Sequence, residues 1–197
     1  GMNGEFEWYQ KTNVWENKTL LKYTPRYVVD SRSRHRIMVP EEEYKNGHVL
    51  TSETVTALAK EGVKVNLGAH GQLQGLGAHW ELWMLQQGGL SNHEALKAAT
   101  INGANYIGVA DELGSLERGK LADLIILDKN PLEDIKNSNS VIYTMVNGRL
   151  YDVDTMNEIG NYDNKRGKFY FELDGYNQGF PVNMKTNSFT TPTCSCH

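Results

Sequence analysis

The spacing of apolar positions changes partway along this chain. Between residues 41 and 61, Val49, Leu50, Val55, Leu58 and Ala59 recur at helical intervals. Pro40 suits a first helical turn, and Glu41, Glu42 and Glu43 suit its positive end. A break is expected at Asn46-Gly47 and a stop at Gly62. Residues 63–67, Val-Lys-Val-Asn-Leu, then read as a short buried strand. Helix, glycine and strand in that order form the returning half of a βαβ unit. A second helix is predicted from about residue 78 to 87, carrying Trp80, Leu82, Trp83, Met84 and Leu85 and stopping at Gly88-Gly89. Ser91 and Glu94 have the spacing of a capping box, opening a third helix whose small residues Ala95, Ala98 and Ala99 favour close packing.

Beyond Gly114 the period shortens. Residues 121–128 predict a strand with a β-branched centre, ended by Asn130-Pro131. Residues 141–151 predict a hairpin, because Asn147-Gly148 fits the two positive-φ positions of a type I′ turn. Residues 168–172 are one more candidate strand, and the last twenty or so residues read as extended coil. The first half is therefore α/β and the second mostly β. Residues 3–30 carry Trp8, Tyr9, Trp15, Tyr23 and Tyr27 without a sustained period, as aromatics covering a core edge do.

Composition narrows the partners. The chain has 197 residues, 39% of them hydrophobic, and a net charge of −4. That charge argues against nucleic acid, which requires a basic footprint; the cluster Arg32-Ser-Arg-His-Arg36 reads as a solvated loop beside Glu41–Glu43. No apolar run approaches the ~20 residues of a membrane span, and no secretory signal is evident, so no membrane is expected and the location stays open. Cys194, Cys196 and His197 form a terminal Cys-Ser-Cys-His that could contribute to a soft-metal site, form a disulfide, or be inert.

Candidate chemistry concentrates in residues 66–81, Asn-Leu-Gly-Ala-His-Gly-Gln-Leu-Gln-Gly-Leu-Gly-Ala-His-Trp-Glu. In a parallel α/β fold this stretch sits at the carboxyl end of a strand, where such folds place their sites. Its glycines lack the pattern of a phosphate loop or dinucleotide fingerprint. His70 is the candidate metal ligand or general base, against the alternative of a histidine that only orders its loop. His79, Gln72 and Glu81 are candidates for substrate binding, with Gln74 beside them. His35 and His48 are further pocket candidates, His93 reads as solvated, and Asn102 and Asp123 read as structural.

The motifs Ala98-Ala-Thr-Ile-Asn-Gly-Ala104, Leu113-Gly-Ser-Leu-Glu-Arg-Gly-Lys-Leu-Ala-Asp-Leu124, Asp128-Lys-Asn-Pro-Leu132 and Val146-Asn-Gly-Arg149 resemble, in order, the C-terminal part of the amidohydrolase superfamily. The imidazolonepropionase-like branch, including propeller-linked members, is the nearest in appearance, and Asp30-Ser-Arg-Ser-Arg34 and the terminal Cys-Ser-Cys-His also resemble the propeller-linked proteins. The resemblance implies an α/β fold: the C-terminal part of a metal-dependent (β/α)8 barrel over residues 1–112, followed by mostly-β strands of an associated β-sandwich over 113–160 and an extended tail over 161–197. It implies hydrolysis of C–N bonds in small amide-type substrates, often cyclic, with a divalent metal, usually zinc. Two departures follow. No His-x-His pair occurs anywhere in the sequence, and Leu67-Gly-Ala-His70 puts His70 where the resemblance implies an aspartate. The chain is therefore expected to be an incomplete, inactive fragment whose unpaired edges are covered by self-association or by a partner bearing the missing strands; the alternative is a non-catalytic oligomerising subunit or binding module.

Overall fold

The computed structural model describes residues 14–25, 27–29, 45–69, 73 and 75–173. The chain divides into two units, residues 1–165 and 166–197. The first unit combines helices with an antiparallel sheet. Its helices are α1 (Lys18–Tyr23), α2 (Leu50–Lys60), α3 (Leu76–Gln87), α4 (Asn92–Ala98) and α5 (Ile101–Ile107). Strands β1 (Leu124–Leu127), β2 (Val141–Val146), β3 (Arg149–Asp152) and β4 (Glu158–Ile159) pair in chain order, each antiparallel to the next.

Helix α3 is the centre of the packing. Trp80, Leu82, Trp83, Met84 and Leu85 point to several sides of it, and all are buried. A helix apolar all round must be enclosed. Val14, Leu20, Leu73, Ala95 and Ile135 close over one part, and Leu90 and Ala98 with Val55, Ala59 and Val65 close over another. The predicted cap of α4 is present: Ser91 Oγ accepts the Glu94 amide at 3.2 Å, and Glu94 Oε2 accepts the Ser91 amide at 3.2 Å.

Helix α2 lies against α3 by way of a glycine. A Cβ on Gly88 would stand 2.2 Å from the carbonyl carbon of Ser52. The contact row on α2 and the turn before it is polar, with His48 and Ser52 fully buried and Thr56 nearly so, and His48 Nε2 lies 3.1 Å from Gln87 Oε1. The break expected at Asn46-Gly47 takes the form of a π turn, Lys45–Val49, running straight into α2, and Gly62 ends the helix with a φ of +89°. The Pro40–Glu43 start lies outside the described residues.

The hairpin forms as predicted. Asn147 has φ +50° and Gly148 φ +77°, and β2 pairs with β3 from Val146 opposite Arg149 to Tyr143 opposite Asp152. Asp123 Oδ1 accepts the Asn147 amide at 2.6 Å, so Asp123 fastens the turn to the start of β1. Across β3 and β4, Arg149 grips Glu158 through two hydrogen bonds of 2.5 Å, and Asn164 Nδ2 donates to the same carboxylate at 2.7 Å. This arrangement holds the Glu158 carboxyl down at about 2.

Two predicted strands are not strands. Residues 63–67 take no regular secondary structure and join no sheet among the described residues, and Val63 is half-exposed. A strand requires a neighbour for its backbone groups, and here the Leu67 amide donates to the Ala98 carbonyl at 2.9 Å while the Val65 carbonyl accepts from Asn102 Nδ2 at 3.0 Å. Helices α4 and α5 thus serve the segment in place of a sheet, and Asn102 is structural as expected. In the second unit, the stretch 168–172 ends in a 3₁₀ turn, Tyr170–Glu172. The Glu172 carboxylate closes it by accepting from the Phe169 amide at 2.7 Å and from the two terminal guanidinium nitrogens of Arg166 at 2.6 and 2.7 Å. Parallel strand pairs are absent among the described residues, and no helix among them is long and apolar enough to cross a membrane.

Candidate functional site

Of the residues singled out from the sequence, His70, Gln72 and Gln74 lie outside the described residues, as do His35 and the Cys194–His197 tail. His79 and Glu81 are placed on the first two turns of α3. Gly75, at φ +84°, precedes the helix. Glu81 Oε1 accepts the Gly68 amide at 3.0 Å, so its carboxylate anchors the preceding segment to the helix. Just upstream, Asn66 Oδ1 is buried without a hydrogen-bond partner among the described residues. His48 is buried in the contact between α2 and α3, and His93 is exposed.

His79 sits differently. Its ring lines a cavity of about 560 Å³ bounded by α1, the start of α3, the 3₁₀ turn Ile135–Asn139, and strands β2 and β3 with the turn after them. Leu20, Leu76, Val141, Val153 and Met156 make most of the wall, and Tyr23, Tyr151 and Asp152 add polar groups. Lys22 Nζ and Tyr23 OH both donate to the Asp154 carbonyl, tying α1 to the turn after β3. The Asp152 carboxylate accepts the Thr155 hydroxyl at 2.6 Å and the Thr155 amide at 2.8 Å, and these bonds hold its pKa below the usual range.

Behind His79 lies a buried hydrogen-bond chain. Trp83 Nε1 donates to Ser138 Oγ at 3.0 Å and to the Ile135 carbonyl at 3.1 Å, and Ser138 Oγ is 3.1 Å from His79 Nδ1. Ser138 is only 3% exposed. Burial lowers the His79 pKa from its ordinary value and favours the neutral ring. Sequence reasoning passed over Ser138 because nothing local marks it; it stands 59 positions from His79 and meets it only through packing.

No group of three or more His, Cys, Asp or Glu side chains among the described residues is placed to hold a metal ion. Glu81 is engaged by a backbone amide and His79 Nδ1 by Ser138. The described residues therefore do not fit a metal centre.

The sequence profile of the amidohydrolase family matches residues 49–151. This spans α2 to β3 and includes the helix carrying His79. A 5-methylthioadenosine/S-adenosylhomocysteine deaminase of Teredinibacter turnerae is 37% identical over 111 residues, covering 49% of this chain and 25% of that protein. An ochratoxinase of Aspergillus niger is 32% identical over 161 residues, covering 73% of this chain and 32% of that protein. An imidazolonepropionase of Picrophilus torridus is 43% identical over 76 residues, covering 36% of this chain and 18% of that protein. The chain belongs to the amidohydrolase family. It spans no more than about a third of the length of these relatives.

Proposed function

We propose that this chain supplies the closing share of a metal-dependent amidohydrolase that adds water across a C–N bond of a small amide-type substrate. On this reading residues 1–112 belong to the last units of a (β/α)8 barrel, 113–160 to a β-sandwich, and 161–197 to a tail. His70 is its candidate metal ligand or general base, and His79, Gln72 and Glu81 are its candidate substrate-binding residues. The metal of the whole enzyme is zinc, and most of its ligands lie outside this sequence, which has no His-x-His pair. The observation that supports the reading is the family match across residues 49–151. The deaminase and imidazolonepropionase among the relatives are in keeping with C–N chemistry.

The test uses amine release from N-acyl amino acids, ureas and cyclic amides with added zinc. A longer polypeptide carrying this sequence is expected to release amine in a chelator-sensitive manner, and the 197-residue chain alone is not. Chelator-sensitive release by the chain alone overturns its incompleteness; no release by the longer polypeptide on any substrate overturns the class.

A second reading, a non-catalytic oligomerising subunit, draws support from the surface. Tyr106, Ile107, Leu116, Ile125 and Val146 are large apolar side chains, each more than half exposed. Strand β1 pairs only with β2 among the described residues, and exposed strand edges invite association. A cooperatively folded monomer in sedimentation at high dilution counts against this reading.

A further inference from the structure

The hydrogen-bond chain behind His79 fixes which proton the ring carries. An indole N–H only donates, so Trp83 Nε1 uses Ser138 Oγ as an acceptor. The Ser138 hydroxyl proton then needs an acceptor of its own, because an unmade bond in a buried site costs about 1–3 kcal/mol. The partner recorded for it is His79 Nδ1, at 3.1 Å. A ring that accepts at Nδ1 while neutral carries its proton on Nε2. Nε2 has no partner among the described residues and is not among the sealed, unpartnered atoms of the unit. It is an open donor on a side chain that lines the cavity.

The cavity sets what that donor can meet. Its volume of about 560 Å³ falls within the range of small-molecule sites, ~300–1,000 Å³, and its mostly apolar wall is typical of them. An apolar occupant without an acceptor would strand the Nε2–H away from water. An anionic occupant would lie against Asp152, which is also in the wall. We infer that this cavity is a small-molecule site for an uncharged carbonyl compound with an apolar body, such as an amide, urea or ketone, its oxygen accepting from His79 Nε2–H and Trp83 and Ser138 acting as positioning residues. The site shares His79 and an amide-type ligand with the proposed hydrolase and rests on that reading for its ligand class, but binding requires neither a metal nor turnover, so failure to bind is distinguishable from failure to hydrolyse.

The experiment is a titration of the full chain with acetanilide, with ethylbenzene and benzoate as matched probes, followed by nitrogen and proton NMR of the His79 ring at about pH 8, where an ordinary imidazole is neutral. The expected result is an Nε2–H tautomer and saturable shifts with acetanilide that exceed those from either control. His79→Leu, which removes the donor, is expected to weaken acetanilide binding about tenfold, while His79→Gln, which keeps an N–H, stays within about threefold. Ser138→Ala is expected to release the tautomer preference. An Nδ1–H tautomer in the unsubstituted chain, no saturable binding of acetanilide, or equal binding to the Leu variant overturns the proposal. The tautomer and the Gln variant decide it if the Leu variant does not fold.

Discussion

Replacing Gly88 with alanine drives a methyl group into the backbone of α2. The new Cβ would lie 2.2 Å from Ser52 C, 2.3 Å from Ser52 Cβ and 2.5 Å from Ser52 O. Non-bonded carbons settle about 3.5–4.0 Å apart, which leaves a shortfall of more than about 1 Å. Two of the three atoms belong to the main chain, so no rotamer change relieves the clash and the helices must separate. Overpacking of this kind costs about 1–3 kcal/mol. Separation also stretches the buried His48–Gln87 contact from 3.1 Å, and a lost hydrogen bond adds about 1 kcal/mol. The expected destabilisation is about 2–4 kcal/mol, which moves a urea midpoint by roughly 1–2 M at an ordinary m-value. Trp80 and Trp83 sit on α3 beside the contact and report unfolding by fluorescence. Gly89→Ala is the control: its Cβ meets only Thr56 Cγ2 at 3.6 Å, so it carries the strain of φ +101° without a clash. That strain is worth about 1–2 kcal/mol. A Gly88→Ala midpoint equal to that of the native chain, or a Gly89→Ala effect larger than that of Gly88→Ala, would refute the close approach of α2 and α3.

Other perturbations probe the sheet, the cavity and a cap. The Glu158 carboxyl is depressed from 4.5 to about 2 by Arg149 and Asn164, so its stabilisation is complete above 4.5 and lost as pH falls toward 2. Glu158→Gln should remove that part of the acid dependence of the unfolding midpoint, and an unchanged acid limb contradicts the grip. His79 has a lowered pKa, so below its ordinary 6.5 the unfolded chain takes up a proton that the folded chain resists. Stability should therefore fall as pH drops below 6.5, and less so in His79→Gln; parallel pH profiles argue against a buried neutral ring. Ser91→Ala removes half of the α4 capping box and should cost about 1 kcal/mol in chemical denaturation; no loss contradicts the cap.

The elements that could be read from the sequence were those whose determinants are local. Ser91 and Glu94 are three residues apart and form their box wherever the chain sends them. Asn147-Gly148 dictates a turn geometry that the flanking β-branched residues extend into strands. The apolar run from Trp80 to Leu85 marks a helix enclosed on several sides. The misreadings were of segments whose fate depends on distant partners. Residues 63–67 have strand composition, yet their backbone bonds go to Ala98 and Asn102, and no pattern within five residues encodes that. At 168–172 the aromatic alternation is real, but one carboxylate closes the chain into a turn. The cavity was half legible: His79 stood out by its place at a helix start, while Ser138, Tyr151 and Asp152 arrive from the sheet and the loop before it. The family motifs were legible because they are contiguous runs, and the match over residues 49–151 covers the same stretch.

Metal content most directly tests the claim that this chain is one share of a metal-dependent amidohydrolase. Plasma mass spectrometry on freshly purified chain, prepared without chelator and then with added zinc and desalting, gives metal per polypeptide. The account predicts far less than one tightly held zinc per chain, because a catalytic zinc needs about three protein ligands around an open position and the described residues gather no such set. One zinc per chain that survives desalting and is lost in His70→Ala would contradict it and would place a complete site within these 197 residues.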